Sequence, residues 1–369
     1  MDTNGRVAGL LDDMASLQPN KYGERAYRRA AAAVLGLEAP LEVLWPAGGL
    51  DGLPHVGPSS RRLIAEVLRT GTAASVDRVA AERGRTADLE RRRQLRDAFL
   101  SRAEVLAVLA EPLRRVPGLA DLRGDFQMHS TWSDGLDSIR AMADGCLARG
   151  CTHCAITDHA HGLRIAGGLS GSDLERQAAE IDAVNDAFDG RFRVLKSVEA
   201  NIGLDGGLDV APELAARLDL LIAAPHSGLR ETRDQTSRLL RAVRTPGVHV
   251  LAHPRGRKFG ARAGIAADWD RVFAAAAAEG VAVEIDGDPW RQDLDGLLAR
   301  EALAAGCLFA VDSDAHAVSQ LGYIDTALAH ARLAGIPPAR IVNCWPLDDV
   351  LEWTTRGAAR RPARRRRTR

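Results

Sequence analysis

Downstream of Gly124 the chain alternates short apolar runs with amphipathic segments, and no other feature restricts its possible folds as much. A run too short for a helix, followed by apolar residues at helical spacing, is the pattern of a βα unit, and repeated units build a mostly parallel sheet. Seven such runs predict strands near Asp125 to His129, His153 to Thr157, Phe192 to Val198, Leu220 to Ala224, Val248 to Ala252, Val281 to Ile285 and Cys307 to Val311. Residues with metal-ligating side chains fall at or just beyond the C-terminal ends of these runs. Parallel barrels assemble their active sites at that end, from the loops that follow the strands.

In chain order these residues are Gln127, His129, Asp134, His159, Glu199, His226, His253, Asp314 and His316. A single histidine of this kind reads as a hydrogen-bonded structural residue. Nine candidates at corresponding strand ends read instead as a ligand set. Imidazole and carboxylate suit zinc, manganese or iron, and the lack of cysteine in the set argues against a closed structural zinc site. Clustered divalent ions lower the pKa of water and stabilise the attacking and leaving oxygens of a phosphoryl displacement, so phosphoester hydrolysis is the expected chemistry. Arg255 and Arg257 follow His253 closely and are expected to grip a nonbridging phosphate oxygen, the alternative being a surface salt bridge. Asp158 is read as a carboxylate that orients His159 or supports it from behind, and His161 as a spare candidate or a structural residue.

The chain has 369 residues, which predicts a small domain beside a larger one. Tyr22 to Gly71 reads as helices around a tight turn, with Leu53, Pro54, Val56 and Gly57 at the bend. Leu63, Ile64, Val67 and Leu68 then share one helical face, and Gly71 ends the helix. Ala73 to Ala120 is arginine-rich and helical in composition, as expected of connecting helices. The expected domains are therefore 1–72, a helical connector at 73–120, an α/β domain at 121–356 and a basic disordered tail at 357–369. That tail is either solvated or in contact with phosphates. Formal net charge is zero, so nothing pulls the whole chain toward nucleic acid.

No apolar run approaches the ~20 residues of a membrane helix, so no membrane partner is expected. Met1 to Leu17 contains Asp12 and Asp13 and does not read as a signal peptide; the expected location is the cytoplasm. The odd number of cysteines, five, fits a reducing compartment. Cys151 and Cys154 form a CxxC that reads as a buried structural pair rather than a redox or zinc pair. No dinucleotide cofactor is expected.

The strings DFQMHSTWSDG, AITDHAHG, VEANI, APHS, LAHPRGR and VDSDAH resemble, in order and spacing, the polymerase and histidinol phosphatase (PHP) superfamily. QMHSTWSDG, the segment Glu199 to Ile202, and the stretch from DSDAH to IVNCWPLDDVLEW look more narrowly like the PHP domain of bacterial family X DNA polymerases. The resemblance covers about Gly124 to Trp353. It implies a distorted (β/α)7 TIM-like barrel, preceded by a small all-α domain, that holds up to three divalent metals (Mn2+, Zn2+ or Fe2+). By that likeness His129, Glu199 and Asp314 would hold one metal with Gln127 beside them, and Asp134, His159 and His316 a second. Glu199 would bridge to a third with His226 and His253. Gln127 departs from the family's usual first histidine and implies a more weakly held metal.

The AYRRAA helix and the LPHVG turn look like the helix-hairpin-helix domain that opens family X polymerases. This likeness implies DNA held through residues 50–71 by backbone amides on phosphates, without base readout and with sensitivity to salt. His55 stands where the family has the first glycine of the turn. Leu63 stands at the Schiff-base lysine of related lyase domains, and Arg61 and Arg62 cannot form an imine, so no lyase activity is expected. Only about fifty residues separate Gly71 from Gly124, too few for a polymerase palm and fingers. The expected function is a metal-dependent phosphoesterase on nucleic-acid ends, a 3′-5′ exonuclease or 3′-phosphatase in DNA repair. The alternatives are a small-molecule phosphatase of the histidinol phosphatase type and a non-enzymatic DNA-binding repair scaffold.

Overall fold

Asp2 caps the first helix, α1 (Thr3–Ser16), by accepting from the Gly5 amide, and Asn20 caps α2 (Lys21–Leu35) by accepting from Gly23. A computed structural model describes residues 1–359 apart from 47, 51, 113 and 114. The chain divides into two compact units, residues 1–112 with 258–263, and residues 113–257 with 264–369.

The first unit continues through α3 (Leu41–Leu44), α4 (Pro58–Thr70), α5 (Ala74–Glu82), α6 (Thr86–Gln94) and α7 (Arg102–Ala110). Pro58 opens α4 at a position where its missing N–H costs nothing, and Gly71 closes it in the left-handed conformation at φ 72°. Leu63, Ile64 and Val67 are buried on the inner face, as the spacing predicts. His55 adopts φ 64° while exposed, so this turn does require the backbone conformation that favours glycine.

The expected connector at 73–120 is divided, since its helices α5 to α7 belong to the first unit. Charge explains the attachment of α6 and the turn after it. Asp13 is fully buried on α1 and is ion-paired to Arg93 at 3.1 Å and to Arg96, and Asp12 is paired to Arg92. A buried carboxylate without such partners would be strongly destabilising.

In the second unit, β1 (His153–Ile156) pairs in parallel with β2 (Arg193–Lys196). A parallel sheet runs through β3 (Glu199–Asn201), β4 (Ile222–Ala224), β5 (Val250–Leu251), β6 (Ala282–Asp286) and β7 (Leu308–Asp312), in that order. Single bridges close the ring. His159 bridges Glu199, Met128 bridges Ala315, and Ala155 donates to the Asp125 carbonyl. Seven parallel segments thus surround one core, with 125–129 as the first. The expected run Phe192 to Val198 holds β2, which pairs with β1, and β3 follows directly beyond it and pairs with β4, so the two together form one of the seven segments.

Phe126, Ala155, Leu195, Ile222, Val250, Ala282 and Ala310 fill one cluster. Helices α8 (Ile139–Ala148) and α9 (Gly171–Phe188) cover β1 and β2 through Met142, Ile181 and Phe188. Cys146, Cys151 and Cys154 belong to this apolar layer, and all five cysteines are free. Helix α15 (Leu347–Ala359) occupies the start of the expected tail, and residues 360–369 lie outside the described residues. No helix among the described residues is long and apolar enough to cross a membrane.

Candidate metal centre

The loops that leave the C-terminal ends of the strands bring the predicted residues to one mouth of the ring. His129 follows the first segment, and its Nε2 lies 3.1 Å from Asp314 Oδ1 and 3.7 Å from Glu199 Oε2. Glu199, at the start of β3, is fully buried. Its Oε2 is 2.8 Å from His159 Nδ1, and its Oε1 is 3.3 Å from His226 Nε2 and 3.2 Å from His253 Nε2. At the outer rim Asp134 Oδ1 is 3.5 Å from both His159 Nε2 and His316 Nε2. The His129 ring stacks against His159 at 4.4 Å and His316 at 4.2 Å.

Apart from that of His129 with Asp314, these contacts are not ordinary hydrogen bonds. Both Glu199 oxygens, His159 Nδ1, His226 Nε2, His253 Nε2 and both amide atoms of Gln127 are buried without a hydrogen-bond partner. Leaving so many polar atoms unpaired costs on the order of 1–3 kcal/mol each, more for charged groups. Lone pairs aimed at a shared cation remove that cost. Metal–ligand bonds of about 2.0–2.2 Å place adjacent tetrahedral ligand atoms about 3.3–3.6 Å apart, close to most of these gaps. The donor set therefore fits divalent metal ions.

Three groups of ligand atoms lie mutually within 4.8 Å: His129 with Asp134, His159 and His316; His159 with Glu199 and His226; and His253 with Asp286 and Asp314. Of the sets that the family pattern implies, Asp134, His159 and His316 fall within one group, whereas His129, Glu199 and Asp314, and Glu199, His226 and His253, meet through pairwise contacts. Asp286 adds a carboxylate that the sequence reading missed. It ends β6 as the other candidates end their strands, so the same positional rule would have found it. Glu284, also missed, is fully buried and accepts from the His253 amide, with its Oε2 3.3 Å from His253 Nδ1.

Electrostatics reflect the crowding. Burial works to raise the Glu199 carboxyl, but the His159 and His226 imidazoles outweigh it and hold it well below the usual carboxylate range. Asp314 is likewise lowered against its burial, chiefly by the Arg291 guanidinium. Asp286 goes the other way, pushed well up by burial and by the Asp314 charge.

Local backbone geometry serves the cluster. His253 at φ 25° and Asp314 at φ 51° sit in the left-handed region just after β5 and β7, a conformation that non-glycine residues rarely keep outside functional sites. Gly135 is required because a Cβ there would lie 2.5 Å from the His129 carbonyl oxygen, in the turn that presents Asp134. Asp158 fastens this turn. Its carboxylate accepts from the Ser130 amide at 2.8 Å, the Ser130 hydroxyl at 2.6 Å and Gln177 Nε2 at 2.6 Å, so it supports the Asp134 loop and no bond of its own orients His159.

Two expectations meet a different arrangement. Arg255 and Arg257 both place Nη1 on Asp295 Oδ2, at 2.7 and 2.8 Å, and Arg257 is buried. The guanidinium that reaches the cluster is that of Arg291, which lies on Asp314 and 3.5 Å from Asp286. His161 is exposed and belongs to none of the ligand groups.

Residues 2–73 match the model of a helix-hairpin-helix domain. The chain is 38% identical over 233 residues to the DNA polymerase/3′-5′ exonuclease PolX of Bacillus subtilis, an overlap covering 63% of this chain and 41% of that protein. It is 29% identical over 163 residues to the probable phosphatase YcdX of Escherichia coli, covering 42% of this chain and 64% of the relative. The chain thus spans less than two thirds of either relative. Among solved structures, histidinol phosphate phosphatase from Lactococcus lactis, complexed with zinc, L-histidinol and phosphate, aligns with a TM-score of 0.39 and 14% identity, over 56% of this chain and 92% of that one. The chain is thus similar to a helix-hairpin-helix domain at its N-terminus and, over part of its length, to the exonuclease PolX and the probable phosphatase YcdX.

Proposed function

We propose that the protein is a metal-dependent phosphoesterase that hydrolyses phosphoester bonds at nucleic-acid ends, acting as a 3′-5′ exonuclease or a 3′-phosphatase in DNA repair. The observation that carries this reading is the convergence of partnerless imidazole and carboxylate atoms on the buried Glu199. Gln127, His129, Asp134, His159, Glu199, His226, His253, Asp314 and His316 would hold up to three ions of manganese, zinc or iron. Bound there, such ions lower the pKa of water toward neutrality and offset charge on the attacking and leaving oxygens. Glu199 offers one oxygen to each side of the cluster and thereby sets the spacing between neighbouring positions. Asp134 and His316, the more exposed members, stand where substrate enters.

The N-terminal unit supplies the preference for DNA. Residues 50–71 would hold DNA through backbone amides on phosphate oxygens, irrespective of sequence, so affinity would fall steeply with salt. A small phosphomonoester substrate is the second reading, favoured by the 29% likeness to the probable phosphatase YcdX.

A 5′-labelled oligonucleotide incubated with the protein and Mn2+, beside His159→Ala and Asp314→Ala, tests the proposal. The expected result is a ladder, or release of terminal phosphate, with the unaltered protein alone. Equal laddering by all three proteins rules this centre out. Turnover of a chromogenic phosphomonoester without any action on DNA selects the second reading.

A further inference from the structure

Arg291 is a cation set among carboxylates. Its Nη1 lies on Asp314 Oδ2 and 3.5 Å from Asp286 Oδ2, while the other oxygen of Asp314 faces His129 Nε2 at 3.1 Å. About a quarter of the side chain, 26%, is exposed, and its guanidinium lies against the cluster. A guanidinium carries five N–H donors in a planar fork, and two carboxylates cannot engage them all.

The backbone that carries Arg291 is built to hold it still. The Arg291 and Gln292 amides both donate to the Asp288 carbonyl at 2.9 Å, closing a turn after β6. Asp286 Oδ1 accepts from the Asp288 amide at 2.6 Å, which ties the turn to the strand end. Arg257 Nε donates to the Arg291 carbonyl at 3.0 Å, and Arg257 is itself anchored on Asp295 beside Arg255. Arg257, whose position in the sequence suggested phosphate binding, thus buttresses the turn that presents Arg291.

We infer that Arg291 is the residue that grips the nonbridging oxygens of the phosphoryl group, aimed by Asp286 and Asp314 and braced by Arg257. This rests on the phosphoesterase reading and adds to it the cation that selects a tetrahedral dianion. A guanidinium held by two carboxylates keeps its orientation as substrate arrives, so little side-chain entropy is lost on binding.

The test is titration of Mn2+-loaded protein with inorganic phosphate, with manganese content measured on the same samples, for the unaltered chain, Arg291→Met and Arg291→Lys. Arg291→Met is expected to weaken phosphate at least ten-fold with manganese content unchanged. Arg291→Lys is expected to recover part of the affinity as a point charge without the fork. Equal phosphate affinity in the unaltered chain and Arg291→Met overturns the inference. So does loss of manganese in both variants, because Arg291 would then serve only to hold Asp314. If the unaltered chain takes up manganese but binds no phosphate, it is the phosphoesterase reading that fails, and this inference with it.

Discussion

His226 Nδ1 donates to Asn201 Oδ1 at 2.6 Å, and this bond fixes the imidazole as the tautomer whose Nε2 lone pair faces Glu199. Asn201 is itself held, because its backbone amide donates to Asp209 Oδ1 at 2.7 Å and its side-chain amide to Asp209 Oδ2. Partners of this kind orient a ligand and raise its basicity, and their loss commonly weakens metal binding about ten- to a hundred-fold. Asn201→Ala is therefore expected to lose metal to a chelator at a concentration about ten-fold lower than the unaltered protein does. Asn201→Asp keeps the acceptor and should retain most of the affinity. Identical chelator midpoints for all three proteins would falsify the relay.

Gln127 supplies a second prediction. It shares the inward face of its segment with His129, and both its amide atoms are buried and unpartnered. An imidazole is a stronger ligand for these metals than a carboxamide oxygen. Gln127→His is expected to slow metal release to a chelator about ten-fold or more, read as the rate at which a coloured metal–chelator complex appears. A faster release in the variant would show that the amide is already the better donor.

The turn at His55 makes a prediction about the helical unit. A side chain at φ 64° carries a left-handed penalty of about 1–2 kcal/mol, partly offset because glycine loses more chain entropy on folding. His55→Gly should thus stabilise the unit by up to roughly 1 kcal/mol. It should also strengthen the binding of nonspecific duplex, by letting the backbone approach phosphate more closely. Denaturant unfolding and fluorescence anisotropy check the two parts, and a destabilised variant would contradict the account of the turn.

Stability should depend on pH through His330. This histidine is buried on α14 (Ile324–Ala334), accepts from the Gly296 amide through Nδ1 and faces Gln292 Oε1 through Nε2 at 2.8 Å. Burial, reinforced by the Arg257 charge, pushes it down to about 3. The folded chain thus holds a neutral imidazole where the unfolded chain binds a proton below about 6.5. Its contribution is complete above that pH and is lost as the pH falls toward the folded value. Thermal stability is expected to decline from pH 7 to pH 5, and His330→Gln should flatten the decline while costing stability at neutral pH. An unchanged slope in the variant would remove His330 from the explanation.

Much of the fold was legible because it rests on local periodicity. The seven runs that predict strands correspond to the seven segments of the ring, since each run is short, apolar and flanked by turn residues. Gly71 ends α4 where expected, because a left-handed C-cap needs no tertiary partner. The candidate ligand residues could be picked out for a related reason: position at a strand end is a sequence property once the strands are known. That Arg193 to Lys196 pair with β1 and the following Glu199 to Asn201 with β4 was not legible, because nothing local tells a strand which neighbour it will pair with.

Ion pairing marks the boundary between the two kinds of information. Asp12 and Asp13 look like surface acids beside Met14, yet they are buried because Arg92, Arg93 and Arg96, some eighty residues later, reach them. Arg255 and Arg257 lie next to a ligand in the chain and still turn to Asp295, whereas Arg291 reaches Asp314 from a different loop. The amino-acid sequence by itself determined which segments are strands, where they end and which chemical groups stand at those ends. Only the tertiary structure decided which charge meets which, because a charged side chain takes whatever partner the closed ring brings within about 4 Å, and that partner's distance along the chain does not enter the energy.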